Sequence, residues 1–390
     1  MAEKRRILFV IDSLGCGGAE KSLVSLMPLL IRKKKYEIHL WMLSRGGVFE
    51  SLIPQNVIIE PTPSYSWKDG MKRHIAHFFY SFTYRYNHLI GKSEHSAETL
   101  WKCMSWAYKV PKTIFDVAIA YQQGVPTYLV ATKIQAQNRI AWVNADIFAV
   151  GYNMKYNAQF YRNFDFIVPV SSDLKTILEN KYPMFGDKYR VVYDILNPEV
   201  IRQQSMEPFQ KHDHFSHELT IVTTGRLAIP KNYLLAVETA RVLDARGVDF
   251  QWLFVGEGDE RFNIETLIRK YGLQKKVLLL GLRMNPYPYM ARCNVYVQTS
   301  SYEGFGLTIA EAKILGKPVV STNFDVVHDQ LVHEQNGLIA DMTPESVADN
   351  IIRLVVDENL RNSIISNLKN ETNTTYVTEV EKVEKLLDAN

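Results

Sequence analysis

Across its 390 residues the sequence lacks most of the features that would place a chain outside the class of ordinary globular proteins. It has no apolar run approaching the roughly 18 residues of a membrane span. Charge of either sign is nearly balanced at +3, so nucleic-acid binding is not expected and any basic patch must be local. Cysteine is scarce: Cys16, Cys103 and Cys293 are far apart and odd in number, which suits a reducing compartment and offers no metal-ligand spacing. Low-complexity tracts and repeats of solenoid length are missing. At the start, "MAEKRRILFVIDSLGCGG" has a basic flank, but Asp12 cuts the apolar run short, so it reads as a first strand and not as a leader peptide. These absences lead to the expectation of a cytoplasmic protein, and its length suggests two domains.

What is present is an alternation of strand and helix patterns. "RILFVIDSL" is followed by "GCGG", then by "AEKSLVSLMPLLIRKK" at helical period, then by the strand "YEIHLWMLS". That order opens a doubly wound α/β domain. Further strands are expected at 116–121, 139–143, 164–171 and 189–196. A polar stretch at 199–217 reads as a linker. The alternation then restarts with "LTIVTTG", "FQWLFVGEG", "KVLLLG", "VYVQTS", "KPVVST" and "NGLIA". The expected architecture is two Rossmann-like parallel-sheet domains, 1–198 and 218–372, facing across a cleft, with a terminal helix at 373–390 packing back on the first domain.

Three loops carry the chemistry. Gly15, Gly17 and Gly18 follow a strand and precede a helix, where backbone amides can approach a phosphate or a sugar closely; a plain tight turn is the alternative. The spacing is not that of a nicotinamide site, and the second strand ends without a ribose-binding acid. Arg226 and Lys231 lie in "TTGRLAIPKN" after the first strand of the second domain. Two cations there suit a diphosphate, arginine as a fork and lysine as a point charge.

The third loop is "SSYEGFGLTIAEA" (300–312). Gly304 and Gly306 clear the way to the first helix amides near Phe305, Gly306 and Leu307, which carry partial positive charge. Glu303 is in the loop and Glu311 about two turns inside the helix. Eight residues advance about 80° beyond whole turns, so the two carboxylates need not share a face and do not read as a glycosidase acid and base. Accepting sugar or ribose hydroxyls fits them better.

Taken together, "GGAE", "GRL…K" (225–231), "FVGEG" (254–258), "VLLLGLR" (277–283), the glutamate pair 303/311 and "GKPVVST…NGLIA" resemble the retaining glycosyltransferases of family 4, with their GT-B fold. The resemblance covers the second domain and the first ~30 residues specifically, and the rest of the first domain more loosely. It implies that Arg226 and Lys231 hold the donor diphosphate, and that Glu303 with the amides of Gly304 and Phe305 binds donor-sugar hydroxyls. Gly306 and Leu307 would offer amides to phosphate, Glu311 would take the ribose, Leu282 and Arg283 would contact the base, and Gly17 and Gly18 would close over the diphosphate. No metal or other cofactor is implied, because cations and helix amides do that work. The expected donor is a nucleotide-diphosphate sugar, foremost a UDP-sugar. The expected role is hexosyl transfer to a lipid-linked oligosaccharide in bacterial surface polysaccharide biosynthesis. One departure is Asn144, where many relatives carry a histidine; asparagine keeps the hydrogen bonds but cannot titrate. Asp194 stands where relatives usually have asparagine. A GT-B epimerase, a phosphorylase and a non-catalytic nucleotide- or sugar-binding module are the rival readings.

Residues 64–112 break the strand–helix rhythm with aromatic residues, among them Trp67, Phe79, Phe82, Trp101 and Trp106, interleaved with Lys68, Arg85, Lys102, Lys109 and Lys112. Two readings stand side by side: a helical surface for an anionic membrane, or an acceptor-side subdomain packing its aromatics inward. "HDHFSH" (212–217) reads as a solvated linker, not as a metal site.

Overall fold

The computed structural model describes residues 4–15, 17–61, 79–83, 85, 95–148, 150–208, 217–371 and 375–389. It divides into two compact units, residues 1–195 with 377–390, and residues 196–376.

In the first unit, strand β1 (Arg5–Ile11) leads into helix α1 (Gly18–Arg32), followed by β2 (Tyr36–Met42), β3 (Ile58–Ile59), α2 (Ser96–Met104), β4 (Phe115–Ala120), α3 (Val125–Thr132), β5 (Ala136–Val143), α4 (Met154–Tyr161), β6 (Phe166–Pro169) and α5 (Ser172–Lys181). The strands form one parallel sheet in the order β3-β2-β1-β4-β5-β6. Residues 7–11 and 117–120 are buried without a break, as expected of parallel strands covered on both faces. The C-terminal helix Thr375–Asp388 belongs mostly to this unit. Lys35 and Tyr36 both bond the Asp388 carboxylate, at 2.6 and 2.9 Å, and Glu379 accepts the Tyr193 N–H at 2.9 Å.

The stretch 189–196, read from its pattern as a strand, is not one. It runs beside β6 with a single isolated bridge, Ile167 to Tyr189. Val192 donates to the Pro169 carbonyl at 3.3 Å, but Pro169 has no N–H to return on that side, so the ladder cannot propagate.

The second unit begins with α6 (Pro198–Ser205), inside the stretch expected to be an irregular linker. Asn197 caps it, accepting from the N–H groups of Glu199 and Val200, with Pro198 in the first turn. An asparagine cap followed by proline is a helix-start signal in its own right. Then come β7 (Leu219–Thr224), α7 (Tyr233–Ala245), β8 (Phe250–Val255), α8 (Arg261–Lys270), β9 (Val277–Gly281), α9 (Tyr287–Arg292), β10 (Val295–Gln298), α10 (Leu307–Ile314), β11 (Val319–Thr322), β12 (Leu338–Ala340), α11 (Pro344–Val356) and α12 (Glu358–Glu371). The sheet order is β12-β11-β10-β7-β8-β9, all parallel.

Alternate strand residues serve opposite faces of this sheet. Ile221, Trp252 and Phe254 enter one core with Ile264, Leu243 and Ile351, while Val222, Leu253, Val255 and Tyr296 enter the other with Tyr287 and Ile309. The period of two that places them follows from the pleat. Each sheet reverses its strand order once, between β1 and β4 and between β7 and β10. Crevices for ligands open at the carboxyl ends of strands at such points.

Candidate active site

In the second unit the loop after β7 and the loop after β10 meet at the switch point, and both contain residues singled out from the sequence. Lys231 and Glu303 are joined: Nζ lies 2.6 Å from Oε1. The same oxygen accepts from Gln298 Nε2 and from Ser300 Oγ, each at 2.6 Å. Arg226 is exposed and, among the described residues, makes no side-chain hydrogen bond or ion pair.

These loops are held by close backbone packing. Gly225 N–H donates to the Val255 carbonyl at 3.0 Å, Leu227 N–H to Glu257 at 2.9 Å and Gly256 N–H to Gly281 at 3.0 Å. A Cβ on Gly256 would stand 1.9 Å from the Gly225 carbonyl oxygen, so this residue must be glycine for the exits of β7 and β8 to touch. Asn232 adopts a left-handed conformation and caps α7 by accepting from Leu235 N–H. Its turn delivers Lys231 to Glu303.

Helix α10 starts from Gly306, which is left-handed at φ 87° and caps the helix without a side chain. Gly304 and Phe305 precede it, and Leu307 is its first residue. The helix N-terminus is thus bare of capping side chains, and its partial positive charge is open to an anion. Glu311 is not the exposed helix glutamate that its residue type suggests. It is 1% exposed, and Tyr287 OH donates to its Oε1 at 3.2 Å. Leu282 is exposed after β9, and Arg283 donates through Nε to Tyr289 OH at 3.2 Å.

The first unit holds Gly17, Gly18 and Asn144. Gly17 caps α1 with its backbone alone, and a Cβ there would meet the Glu20 carboxylate at 2.3 Å. Cys16, between these glycines and Gly15, lies outside the described residues. Asn144, at the exit of β5, donates through Nδ2 to the Tyr121 carbonyl at 2.7 Å, which leaves Oδ1 without a partner among the described residues. A flipped amide would oppose two carbonyl oxygens, so Asn144 keeps a buried acceptor unpaired among the described residues. Gln122 and Gln123, not singled out from the sequence, accept the backbone N–H groups of Asp12 and Asn144, at 3.1 and 3.2 Å. Consecutive glutamines at the end of β4 thereby tie down the exits of β1 and β5.

Asp194 lies in a buried polar cluster. Ser22 Oγ bonds Tyr121 OH and accepts the Ile195 N–H, both at 3.1 Å. Burial pushes the Asp194 carboxyl up to about 7, with the charge of Glu20 adding to the shift and a hydrogen bond from Ser22 opposing it.

Of the aromatic and basic segment 64–112, residues 64–78, 84 and 86–94 lie outside the described residues, Trp67 and Lys68 among them. In the remainder Trp101 is buried against Tyr128 and Phe160, whereas Phe79, Phe82 and Trp106 are more than half exposed. Histidines 212 and 214 also lie outside the described residues, and His217 pairs with Asp249 at 2.8 Å. No helix among the described residues is long and apolar enough to cross a membrane.

Comparison with known proteins agrees with this fold. The profile of the family described as "Glycosyl transferases group 1" matches residues 205–371. The N-acetylgalactosamine-N,N'-diacetylbacillosaminyl-diphospho-undecaprenol 4-alpha-N-acetylgalactosaminyltransferase of Campylobacter jejuni is 25% identical over 358 residues, 90% of each chain. An uncharacterized glycosyltransferase of Methanocaldococcus jannaschii is 27% identical over 166 residues, 42% of this chain and 41% of that protein, so the chain spans less than half of that relative. Among solved structures, HepE of Anabaena in complex with UDP-glucose superposes with a TM-score of 0.72 at 17% identity, covering 98% of this chain and 99% of that one. The fold is GT-B.

Proposed function

Residues 205–371 belong to the group 1 glycosyl transferases, and on that premise we propose that the protein is a retaining, metal-independent hexosyltransferase. Its donor is a UDP-sugar and its acceptor a lipid-linked glycan of a bacterial surface polysaccharide. One observation carries this reading: after β7 and β10, Lys231, Glu303 and the glycine-opened start of α10 converge in one place. The donor base rests on the UDP-glucose held by HepE, and the lipid-linked acceptor on the undecaprenol-linked acceptor named for the Campylobacter relative.

In this reading Arg226 and Lys231 hold the diphosphate, and the amides of Gly306 and Leu307 face its oxygens. Glu303, with the amides of Gly304 and Phe305, takes donor-sugar hydroxyls. Glu311 takes the ribose, and the backbone of Leu282 and Arg283 faces the base. The bond between the anomeric carbon and the phosphate oxygen breaks, and positive charge builds on the sugar. Negative charge on the leaving phosphate is met by the cations and the helix amides. The acceptor hydroxyl attacks from the face the phosphate leaves, and its proton passes to the departing phosphate oxygen, so configuration is retained. Exposed Phe79, Phe82 and Trp106, with basic residues in the same segment, support peripheral contact with an anionic membrane that carries the acceptor.

The test is a panel of uridine, guanosine and adenosine diphosphate sugars scored by thermal shift and by donor turnover. A true donor raises the melting temperature as its concentration grows. No shift with any nucleotide sugar would overturn the reading, and binding without turnover would reduce the protein to a binding module.

A further inference from the structure

Gln298 is the last residue of β10, 1% exposed, on a strand whose other residues are apolar or aromatic. All its hydrogen-bonding capacity in the plane of the amide is used. Oε1 accepts from Tyr296 OH and from Thr308 Oγ, both at 3.0 Å. Nε2 donates to Ser300 Oγ at 2.7 Å and to Glu303 Oε1 at 2.6 Å. Two hydroxyls at one end and a carboxylate at the other leave the amide a single orientation, since a flip would set its oxygen against the Glu303 carboxylate. Upstream, Tyr296 OH is 3.1 Å from Thr224 Oγ at the end of β7. Downstream, Ser300 Oγ donates to the same Glu303 oxygen, and the Ser300 carbonyl is held by Thr322 Oγ at 2.6 Å. A continuous buried chain therefore runs from β7 through β10 to one oxygen of Glu303. Thr308 ties it to the first turn of α10.

We infer that Gln298 is a positioning residue for donor-sugar transfer: its amide, fixed by Tyr296 and Thr308, locks the Glu303 carboxylate onto Lys231 in the orientation that receives the sugar. The inference rests on the glycosyltransferase reading of this site and adds to it a residue that touches neither donor nor acceptor. Three donors gather on Oε1 of Glu303, and the other carboxylate oxygen has no hydrogen-bond partner among the described residues, which leaves it for a ligand hydroxyl. The chain ends on the sugar-facing carboxylate and reaches the diphosphate groups only indirectly, through Lys231 and the first turn of α10, so its loss affects the chemical step more than nucleotide affinity. A carboxylate misplaced by a fraction of an ångström loses much of its effect on a developing charge.

The experiment compares Gln298→Met, which keeps length and volume but loses every amide hydrogen bond, with the wild-type protein. The readouts are kcat and KM for the UDP-sugar donor, Kd for free UDP and the melting temperature. We expect kcat to fall about tenfold or more, with KM for the donor and Kd for UDP within about threefold of wild type. A purely structural glutamine would lower the melting temperature but leave kcat of the folded fraction intact. The inference is overturned if folded Gln298→Met keeps kcat within about twofold, or if Kd for UDP weakens in step with kcat. Should Gln298→Met fail to fold, Thr308→Val decides. It removes one of the two hydroxyls that orient the amide, and about a threefold loss of kcat at unchanged Kd for UDP is expected, whereas wild-type kcat refutes the role. If the wild-type protein turns over no nucleotide sugar at all, the glycosyltransferase reading itself fails and takes the positioning role with it. An active wild type with an equally active Gln298→Met sinks only the role of Gln298.

Discussion

The ammonium of Lys231 lies 2.6 Å from Oε1 of Glu303, so an ion pair of two largely covered side chains joins the loop after β7 to the loop after β10. With 22% and 12% of their side-chain surfaces exposed, the pair is screened less than a surface salt bridge. Lysine has three donors, so it can keep Glu303 while taking a phosphate oxygen. Arg226, exposed and without a protein partner among the described residues, is available to an incoming anion at no cost in broken contacts.

Removing either cation tests the diphosphate assignment. Arg226→Ala and Lys231→Ala should each lower kcat for donor turnover by roughly 10²–10³-fold. Lys231→Ala should also lower the melting temperature, because it leaves a covered carboxylate without its counter-charge, whereas Arg226→Ala should not. Wild-type turnover in both variants would sink the assignment.

The two glutamates should separate by readout. Glu303→Gln loses the charge that meets Lys231, and transfer should suffer more than binding of free UDP. Glu311→Gln should weaken UDP binding by about tenfold, on the order of 1.4 kcal/mol. Tyr287→Phe, which takes away the hydroxyl bonded to Glu311, should weaken it less. Calorimetric titration with UDP checks all three, and equal, trivial effects would return the loop to ordinary packing.

Two glycines differ in what they tolerate. A Cβ on Gly306 would make only ordinary van der Waals contact, the nearest atom being 3.6 Å away, but the residue sits at φ 87°, so Gly306→Ala should cost about 1–2 kcal/mol through backbone strain alone. Gly256→Ala would drive a methyl group to 1.9 Å from a carbonyl oxygen. The exits of β7 and β8 would have to part, at more than about 3 kcal/mol. Denaturant unfolding of the two variants should therefore rank Gly256→Ala far below Gly306→Ala.

Asp194 should make stability depend on pH. Its carboxyl, ordinarily at 3.8, is raised to about 7 by burial. Between those values the folded protein keeps a proton that the unfolded chain has lost, so the stabilisation is complete at low pH and is lost as pH rises towards about 7. Asp194→Asn keeps the shape without the charge. It should raise the melting temperature at pH 8 by a few degrees, on the order of 1–3 kcal/mol, and leave it unchanged near pH 4. A constant offset at both pH values would contradict this account.

Much of the fold was legible in the sequence because buried parallel strands leave short runs rich in apolar and β-branched residues, and eleven of the twelve strands among the described residues fall on stretches read as strands. The exception, Ile58–Ile59, is a two-residue exposed edge strand with nothing to bury. The false strand at 189–196 has the right composition, but whether its backbone finds a ladder depends on Pro169, more than twenty residues earlier. The helix Pro198–Ser205 was hidden by polar residues on its outer face, although Asn197 and Pro198 gave its start away.

Amino-acid order alone determined where cations, carboxylates and glycines stand relative to strand ends, because strand-loop-helix boundaries are local features of pattern and capping. It did not determine which side chains meet. That Lys231 reaches Glu303, 72 positions away, that Glu311 is buried under Tyr287 and that Gln298 binds the Glu303 carboxylate follow only from the sheet order that puts β10 beside β7. Strand neighbours far apart in the chain are chosen by the packing of the whole sheet, and no local pattern records that choice.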